Sequence, residues 1–370
     1  MDGNQQVVVN ARQVVVFDGE FPMYRGGSLL NPVFAYETWG QLNAARDNAI
    51  IIFTGLSPSA HAASSPKDAT PGWWEDMIGK DKPIDTNRYF VICVNSLGSC
   101  FGSTGPASVN PRTGELYRLQ FPLLSLEDVA RGGYEVLRHL GIDHLHAVIG
   151  PSMGGMTALA FEVMFSGMSD KLVLMSSGPR SLPFSIALRS LQREMIRKDP
   201  DFADGHYALD KPPLLGMRMA RKLGMITYRS AEEWRVRFGR ERTPTDHSGG
   251  DPFGLVFEVE SYLEHHAKKF TGQFDPNCYL YLSRASDMFD IAAHGATVEA
   301  ALARVQAKKI LIIGVKTDFL FPIYQQQELA DGLTKAGRQV DYVALDSLQG
   351  HDSFLVDMDS YRPLVARFFA

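Results

Sequence analysis

Cysteine is scarce in this 370-residue chain: there are three, Cys93, Cys100 and Cys278, and no Cys-x-x-Cys pair. That argues against a disulfide-framed scaffold and fits a reducing compartment. Long apolar runs are also missing, and none approaches the roughly 18 residues of a membrane span. The N-terminus is polar and lacks the apolar stretch of a secretion signal. Basic runs are absent as well. The net charge is −5 with the signs interspersed, so neither nucleic acid nor an anionic membrane is indicated as a partner. The expectation is a cytoplasmic, soluble chain without repeats or low-complexity segments. What it does have is a hydrophobic fraction of 45%, enough at this length for a large α/β core with an insertion.

Apolar runs near 12–17, 33–39, 48–53, 88–94, 145–150 and 170–176 read as strands, with a helix at 125–140. One junction carries most of the information. Ala147-Val-Ile149 feeds Gly150-Pro-Ser152-Met-Gly154, and a helix-like segment, Met156 to Met164, follows directly. A Gly-x-Ser-x-Gly turn between strand and helix is the nucleophile elbow of an α/β-hydrolase fold. Both glycines are needed because the sharp turn crowds backbone against its neighbours. A glycine-rich surface turn is the bland reading, and the flanking strand and helix weigh against it.

A nucleophilic serine needs a base, and the base needs an orienting acid; in this fold they follow in the order Ser, Asp or Glu, His. Lys309-Ile-Leu-Ile-Ile-Gly314 reads as a buried strand with Asp318 just past its end. Gln339-Val-Asp-Tyr-Val-Ala-Leu345 is another strand, and after its loop come His351 and Asp352. Singly, such an Asp is more often a helix cap and such a His a surface residue. Order and sheet position favour Ser152, Asp318 and His351 as a triad. Oxyanion donors are expected from the backbone N–H of Met153 and, within about one residue, of Leu56 in the loop Thr54-Gly-Leu-Ser-Pro-Ser-Ala-His61.

The alternation of strand and helix stops between the strand at 170–176 and the one bearing Asp318. From about Pro183 to Val305 the sequence is helix-like, with no clear strand. The expected organisation is therefore an α/β-hydrolase core at 1–180 and 306–370, mostly parallel with helices on both faces, and a helical lid at 181–305 roofing the serine.

Triad and lid alone would allow an esterase, lipase, peptidase, dehalogenase or acyltransferase. Longer motifs narrow the choice. Tyr36-Glu-Thr-Trp-Gly40, Pro71-Gly-Trp-Trp-Glu75, the block from Asn95 to Ser108 and Thr317-Asp-Phe-Leu-Phe-Pro322 resemble the homoserine O-acetyltransferase family. The resemblance runs from about residue 24 to the end. It implies a Ser-His-Asp enzyme that moves an acyl group from acyl-CoA, as co-substrate, to an amino-acid hydroxyl, with no metal or organic cofactor and as a homodimer. It also implies that Arg221 and Asp352 hold a zwitterionic acceptor and that Tyr228 lines the pocket. The segments 182–194 and 257–263 are similar to family members acting on L-serine, the serine O-succinyltransferases of cysteine synthesis and a serine O-acetyltransferase. L-Homoserine, one methylene longer and the acceptor of methionine synthesis, stays open as an acceptor. Arg189 replaces a family Asn, and its guanidinium could pair with the distal carboxylate of a succinyl group; a structural salt bridge is the competing reading. Leu320 stands where succinyltransferases acting on homoserine tend to carry Arg.

Overall fold

The computed structural model describes residues 11–247 and 251–370. Eight strands form the central sheet: β1 (Gln13–Val16), β2 (Val33–Trp39), β3 (Ala49–Phe53), β4 (Phe90–Val94), β5 (Leu145–Pro151), β6 (Ser169–Met175), β7 (Lys309–Val315) and β8 (Gln339–Leu345). Their order is β1-β2-β4-β3-β5-β6-β7-β8. β2 runs antiparallel to β1 and β4, and all pairs from β4 to β8 are parallel. Parallel strands need cover on both faces, hence their near-continuous apolar runs. β3 shows this directly: all five residues are buried. Ile51 and Phe53 join the cluster on one face, and Ile50 and Ile52 the cluster on the other.

Helix α1 (Leu126–Leu140) starts at Ser125, whose hydroxyl accepts from the Asp128 amide while Asp128 bonds back, and stops at Gly141 in the left-handed region. Helix α2 (Met153–Met164) leaves the serine turn and is buried almost throughout. Between β6 and β7 lie α3 (Pro183–Arg197), α4 (Leu214–Tyr228), α5 (Ala231–Phe238), α6 (Glu258–Phe270), α7 (Pro276–Met288) and the short α8 (Val298–Leu302). α3 is tied to α4 by Gln192 donating to the Ala220 carbonyl at 2.9 Å, and to α7 by Arg193 donating to Ser283 at 2.8 Å. The segment from Ile291 to Ala307 packs back into the core cluster. Helices α9 (Ile323–Lys335), α10 (Ser353–Val356) and α11 (Met358–Phe369) complete the fold.

One expectation needs correcting. The insertion is not strand-free: Arg242–His247 pairs antiparallel with Leu255–Phe257. The apolar Leu-Val-Phe triplet has strand propensity, and the Glu260 carboxylate then accepts from the Val256 and Phe257 amides at 2.8 and 2.9 Å, converting the strand into α6. Among the described residues no helix is long and apolar enough to cross a membrane.

Candidate active site

Ser152 sits at the junction of β5 and α2 with φ 54° and ψ −127°, a backbone conformation that costs a non-glycine residue on the order of 1–3 kcal/mol. The glycines around it make the turn possible. A Cβ on Gly150 would lie 2.1 Å from the Gly154 carbonyl oxygen, and one on Gly154 would lie 2.1 Å from that of Phe53. The Ser152 amide is fixed by donating to the Met175 carbonyl of β6 at 2.8 Å.

The parallel sheet brings three distant residues to one edge. His351 Nε2 lies 2.7 Å from Ser152 Oγ, and His351 Nδ1 lies 2.8 Å from Asp318 Oδ2. Asp318 follows β7, and its other oxygen accepts from the Leu320 and Phe321 amides at 2.9 and 3.0 Å. Those two bonds fix the carboxylate so that it orients the imidazole. The Phe321 ring stacks on His351 at 5.3 Å and Phe354 meets its edge at 5.7 Å, which leaves the ring little rotational freedom. Burial disfavours the imidazolium, but the Asp318 carboxylate outweighs it, so the His351 pKa is raised from 6.5.

The amides expected to hold an oxyanion are both available. The Met153 amide begins α2, where helix geometry leaves it without an internal partner. The Leu56 amide lies in the loop after β3. Among the described residues neither donates to another protein group. Leu56, Ser152, Met153 and His351 share a cavity of about 60 Å³ with Leu188, Arg189, Tyr228, Tyr279 and Phe321.

Arg221 and Asp352 lie next door. They line an adjoining cavity of about 350 Å³ with Arg229, Trp234, Tyr262 and Phe270. Tyr228 stands at the boundary, its ring 6.2 Å from His351 and 5.8 Å from the Arg221 guanidinium. That guanidinium also lies 4.5 Å over the Phe270 ring, and its Nε is buried without a partner among the described residues. Burial raises the Asp352 pKa, against the opposing pull of Arg229. Arg229 Nε lies 3.5 Å from Asp352 Oδ2, a partner that sequence reading missed because nothing in the spacing joins 229 to 352.

Arg189 lines the cavity that Ser152 opens into. Its Nε donates to Asp287 at 2.5 Å and another nitrogen donates to Ser181 at 2.6 Å. Arg193 forms an ion pair with Asp287, its nitrogen 2.7 Å from the other carboxylate oxygen. Two guanidinium groups therefore share one carboxylate, leaving a net positive charge near Ser152. Asp287 carried no signal in the sequence.

Known proteins resemble this chain in sequence and fold. Residues 48–357 match the family described as the alpha/beta hydrolase fold. A protein of Stenotrophomonas maltophilia (strain K279a) named serine O-succinyltransferase is 57% identical, with 94% of each chain covered. One of the same name from Litchfieldella anticariensis is 55% identical, covering 98% of this chain and 99% of its own. Among solved structures, homoserine O-acetyltransferase from Bacillus anthracis matches with a TM-score of 0.89 at 29% identity, over 96% of both chains. Esterase E22 matches with a TM-score of 0.87 at 29% identity, over 97% of this chain and 99% of its own. The chain belongs to the alpha/beta hydrolase fold family, in the acyltransferase lineage that holds the homoserine O-acetyltransferases and serine O-succinyltransferases.

Proposed function

We propose that this enzyme transfers the succinyl group of succinyl-CoA to the hydroxyl of L-serine through an acyl-Ser152 intermediate, supplying an activated serine for cysteine synthesis. The observation that carries the reading is near-full-length identity of 55–57% to proteins named serine O-succinyltransferase, laid over a hydrogen-bonded Ser152–His351–Asp318 relay.

The chemistry follows from the geometry. His351 Nε2 takes the Ser152 proton as Oγ attacks the thioester carbonyl. The developing oxyanion is held by the Leu56 and Met153 amides, each worth about 10²–10³ in rate in comparable sites. Collapse breaks the carbon–sulfur bond, and His351 returns the proton to the departing CoA thiolate. L-Serine then enters, its carboxylate on Arg221 and its ammonium on Asp352, with Tyr228 lining the path. His351 removes its hydroxyl proton, the serine oxygen attacks the acyl carbon, and Ser152 leaves with that proton. The small cavity restricts water, which favours transfer over hydrolysis. In this scheme acyl-CoA is a co-substrate and no metal or organic cofactor takes part.

Arg189 is the residue we assign to the distal succinyl carboxylate, because it borders the cavity within a cluster of net positive charge. A second reading is O-acetylation of serine or homoserine, favoured by the match to the Bacillus anthracis homoserine O-acetyltransferase; an esterase is a more distant reading. We further propose a cytoplasmic homodimer.

The deciding experiment is thiol release from succinyl-CoA and from acetyl-CoA, each with L-serine, with L-homoserine and with neither. The expected result is fast release only with succinyl-CoA plus serine. Preference for acetyl-CoA would move the assignment to an acetyltransferase. Release without an acceptor would make the enzyme a hydrolase.

A further inference from the structure

The loop that carries the Leu56 amide, Thr54 to His61, has no helix or strand of its own. Its amide must still be held to within about 0.5 Å if it is to meet an oxyanion. What fixes it lies at its far end. Trp73 donates from its indole to the Ser59 carbonyl at 3.0 Å, and the Trp73 and Trp74 amides donate to the His61 and Ala62 carbonyls at 3.3 and 2.8 Å. The approach is close: a Cβ on Gly72 would lie 2.1 Å from the Ala62 carbonyl carbon.

Beneath this junction sits a pair of side chains that the mechanism does not use. His61 Nδ1 lies 2.8 Å from Oε2 of Glu37, a carboxyl buried on β2. His61 Nε2 faces the Thr70 carbonyl oxygen at 2.9 Å. The Thr70 hydroxyl is also near Nε2, at 3.2 Å, but its one proton is directed to Asp68 Oδ1 at 2.7 Å. Nε2 therefore faces acceptors only and must carry a proton. Between Nδ1 and Oε2 a second proton is required, since an imidazole lone pair facing a carboxylate would leave both unpaired. The pair binds both protons, and the imidazolium–carboxylate form joins the sheet to both loop segments at once.

We propose that His61 and Glu37 are positioning residues that hold the Leu56 oxyanion donor in place through this shared proton. The proposal rests on the acyl-Ser152 reading but on neither the donor nor the acceptor assigned above. Besides Glu37, the group facing His61 is Asp68, at 3.9 Å from Nδ1; Arg12 before β1 and Cys93 opposite on β4 act on the Glu37 carboxyl. Burial opposes the imidazolium, but bonds to Glu37 and to the Thr70 carbonyl prevail and raise the His61 pKa. The clamp is thus complete below that raised pKa and weakens as pH rises through it, when Nδ1 and the Glu37 carboxylate are left facing one another.

The test is the burst of p-nitrophenol from p-nitrophenyl acetate in wild type, His61→Gln, Glu37→Gln and the double variant. Rates are expressed per active site, with Ser152 acylation followed by intact mass. This probe needs neither serine nor succinyl-CoA. Each single variant is expected to acylate about 10- to 100-fold more slowly, the range for a catalytic group displaced by about 1 Å. The double variant should be no slower than the worse single, because the two act as a unit. Wild type should lose acylation rate on the alkaline side, and the variants should lack that limb. A merely structural role would lower the melting temperature and the active fraction but leave the rate per active site and its pH profile unchanged; that result overturns the proposal. Absence of Ser152 acylation in the wild type would overturn the acyl-enzyme reading and this proposal together.

Discussion

Nε2 of His351 lies 2.7 Å from Oγ of Ser152, although 199 positions separate them in the chain. The contact exists because β5 and β8 deliver both residues to the same edge of a parallel sheet, with β7 delivering Asp318 between them. Asp318 and the imidazole are both buried, so the carboxylate acts on the ring with little screening.

The first consequence is a pH dependence with a definite sign. A base must be neutral to accept the Ser152 proton, and the His351 pKa is raised from 6.5 despite burial, because of Asp318. The acid limb of the acylation rate is therefore expected above pH 6.5, with activity falling as pH drops through it. The stability contribution runs the other way. Pairing with Asp318 stabilises the fold fully below the unfolded histidine pKa of about 6.5, and it is lost as pH rises through the higher folded value. The melting-temperature gap between wild type and His351→Gln should narrow as pH increases. A gap that widens would refute the assigned protonation.

Donor choice makes the second prediction. Arg189 shares Asp287 with Arg193, so Arg189→Gln leaves the carboxylate paired rather than stranded. Losing one buried charge-assisted bond to the succinyl carboxylate should cost roughly 1.5–3 kcal/mol, or about 10- to 100-fold in kcat/KM for succinyl-CoA. Acetyl-CoA offers no carboxylate, so its kcat/KM should change little. An equal loss with both donors would reduce Arg189 to a structural salt bridge.

The hydrogen-bonded set of Ser152, His351 and Asp318 was legible in the sequence because each member follows a strand with an unmistakable apolar run, and the glycines at 150 and 154 mark the turn. Side-chain partners across the helical insertion were not. Arg229 meets Asp352, and Asp287 meets Arg189 and Arg193, through helix packing that no periodicity encodes. The ribbon of Arg242–His247 and Leu255–Phe257 was hidden for another reason: the first strand contains Pro244 between polar residues, and the second is only three residues long. Arg221 and Asp352 were named from resemblance, and only the three-dimensional arrangement sets them one cavity away from Ser152, across Tyr228.

That arrangement leads to the third prediction. Asp352 is pushed toward its neutral form by burial, and Arg229 holds it back. Replacing Arg229 by Gln removes that opposition, so Asp352 should become protonated at higher pH and bind the serine ammonium less well. KM for L-serine should rise about 10-fold, most at the acid end of the range, while the acylation burst stays near the wild-type rate. Glu233 loses a partner too, so a melting curve taken alongside separates stability from binding. A slowed burst with unchanged KM would place Arg229 in the acylation step instead.

The last prediction concerns a buried acid away from the site. Glu162 on α2 accepts from the Ser169 hydroxyl at one oxygen, and among the described residues its other oxygen is buried without a partner. Burial pushes its pKa up to about 8, only partly opposed by that hydrogen bond. The folded chain therefore keeps this carboxyl protonated at pH 7, whereas the unfolded chain releases the proton above about 4.5. Stability should then decline as pH rises from about 4.5 and level off above about 8, a cost of about 3 kcal/mol at pH 7. Glu162→Gln keeps the volume and the Ser169 bond and cannot titrate. It should melt several degrees higher than wild type at pH 7, and the advantage should vanish near pH 4, where both chains carry a neutral group. Parallel melting curves across that range would mean that Glu162 is ionised in the folded protein, with the unpartnered oxygen solvated after all.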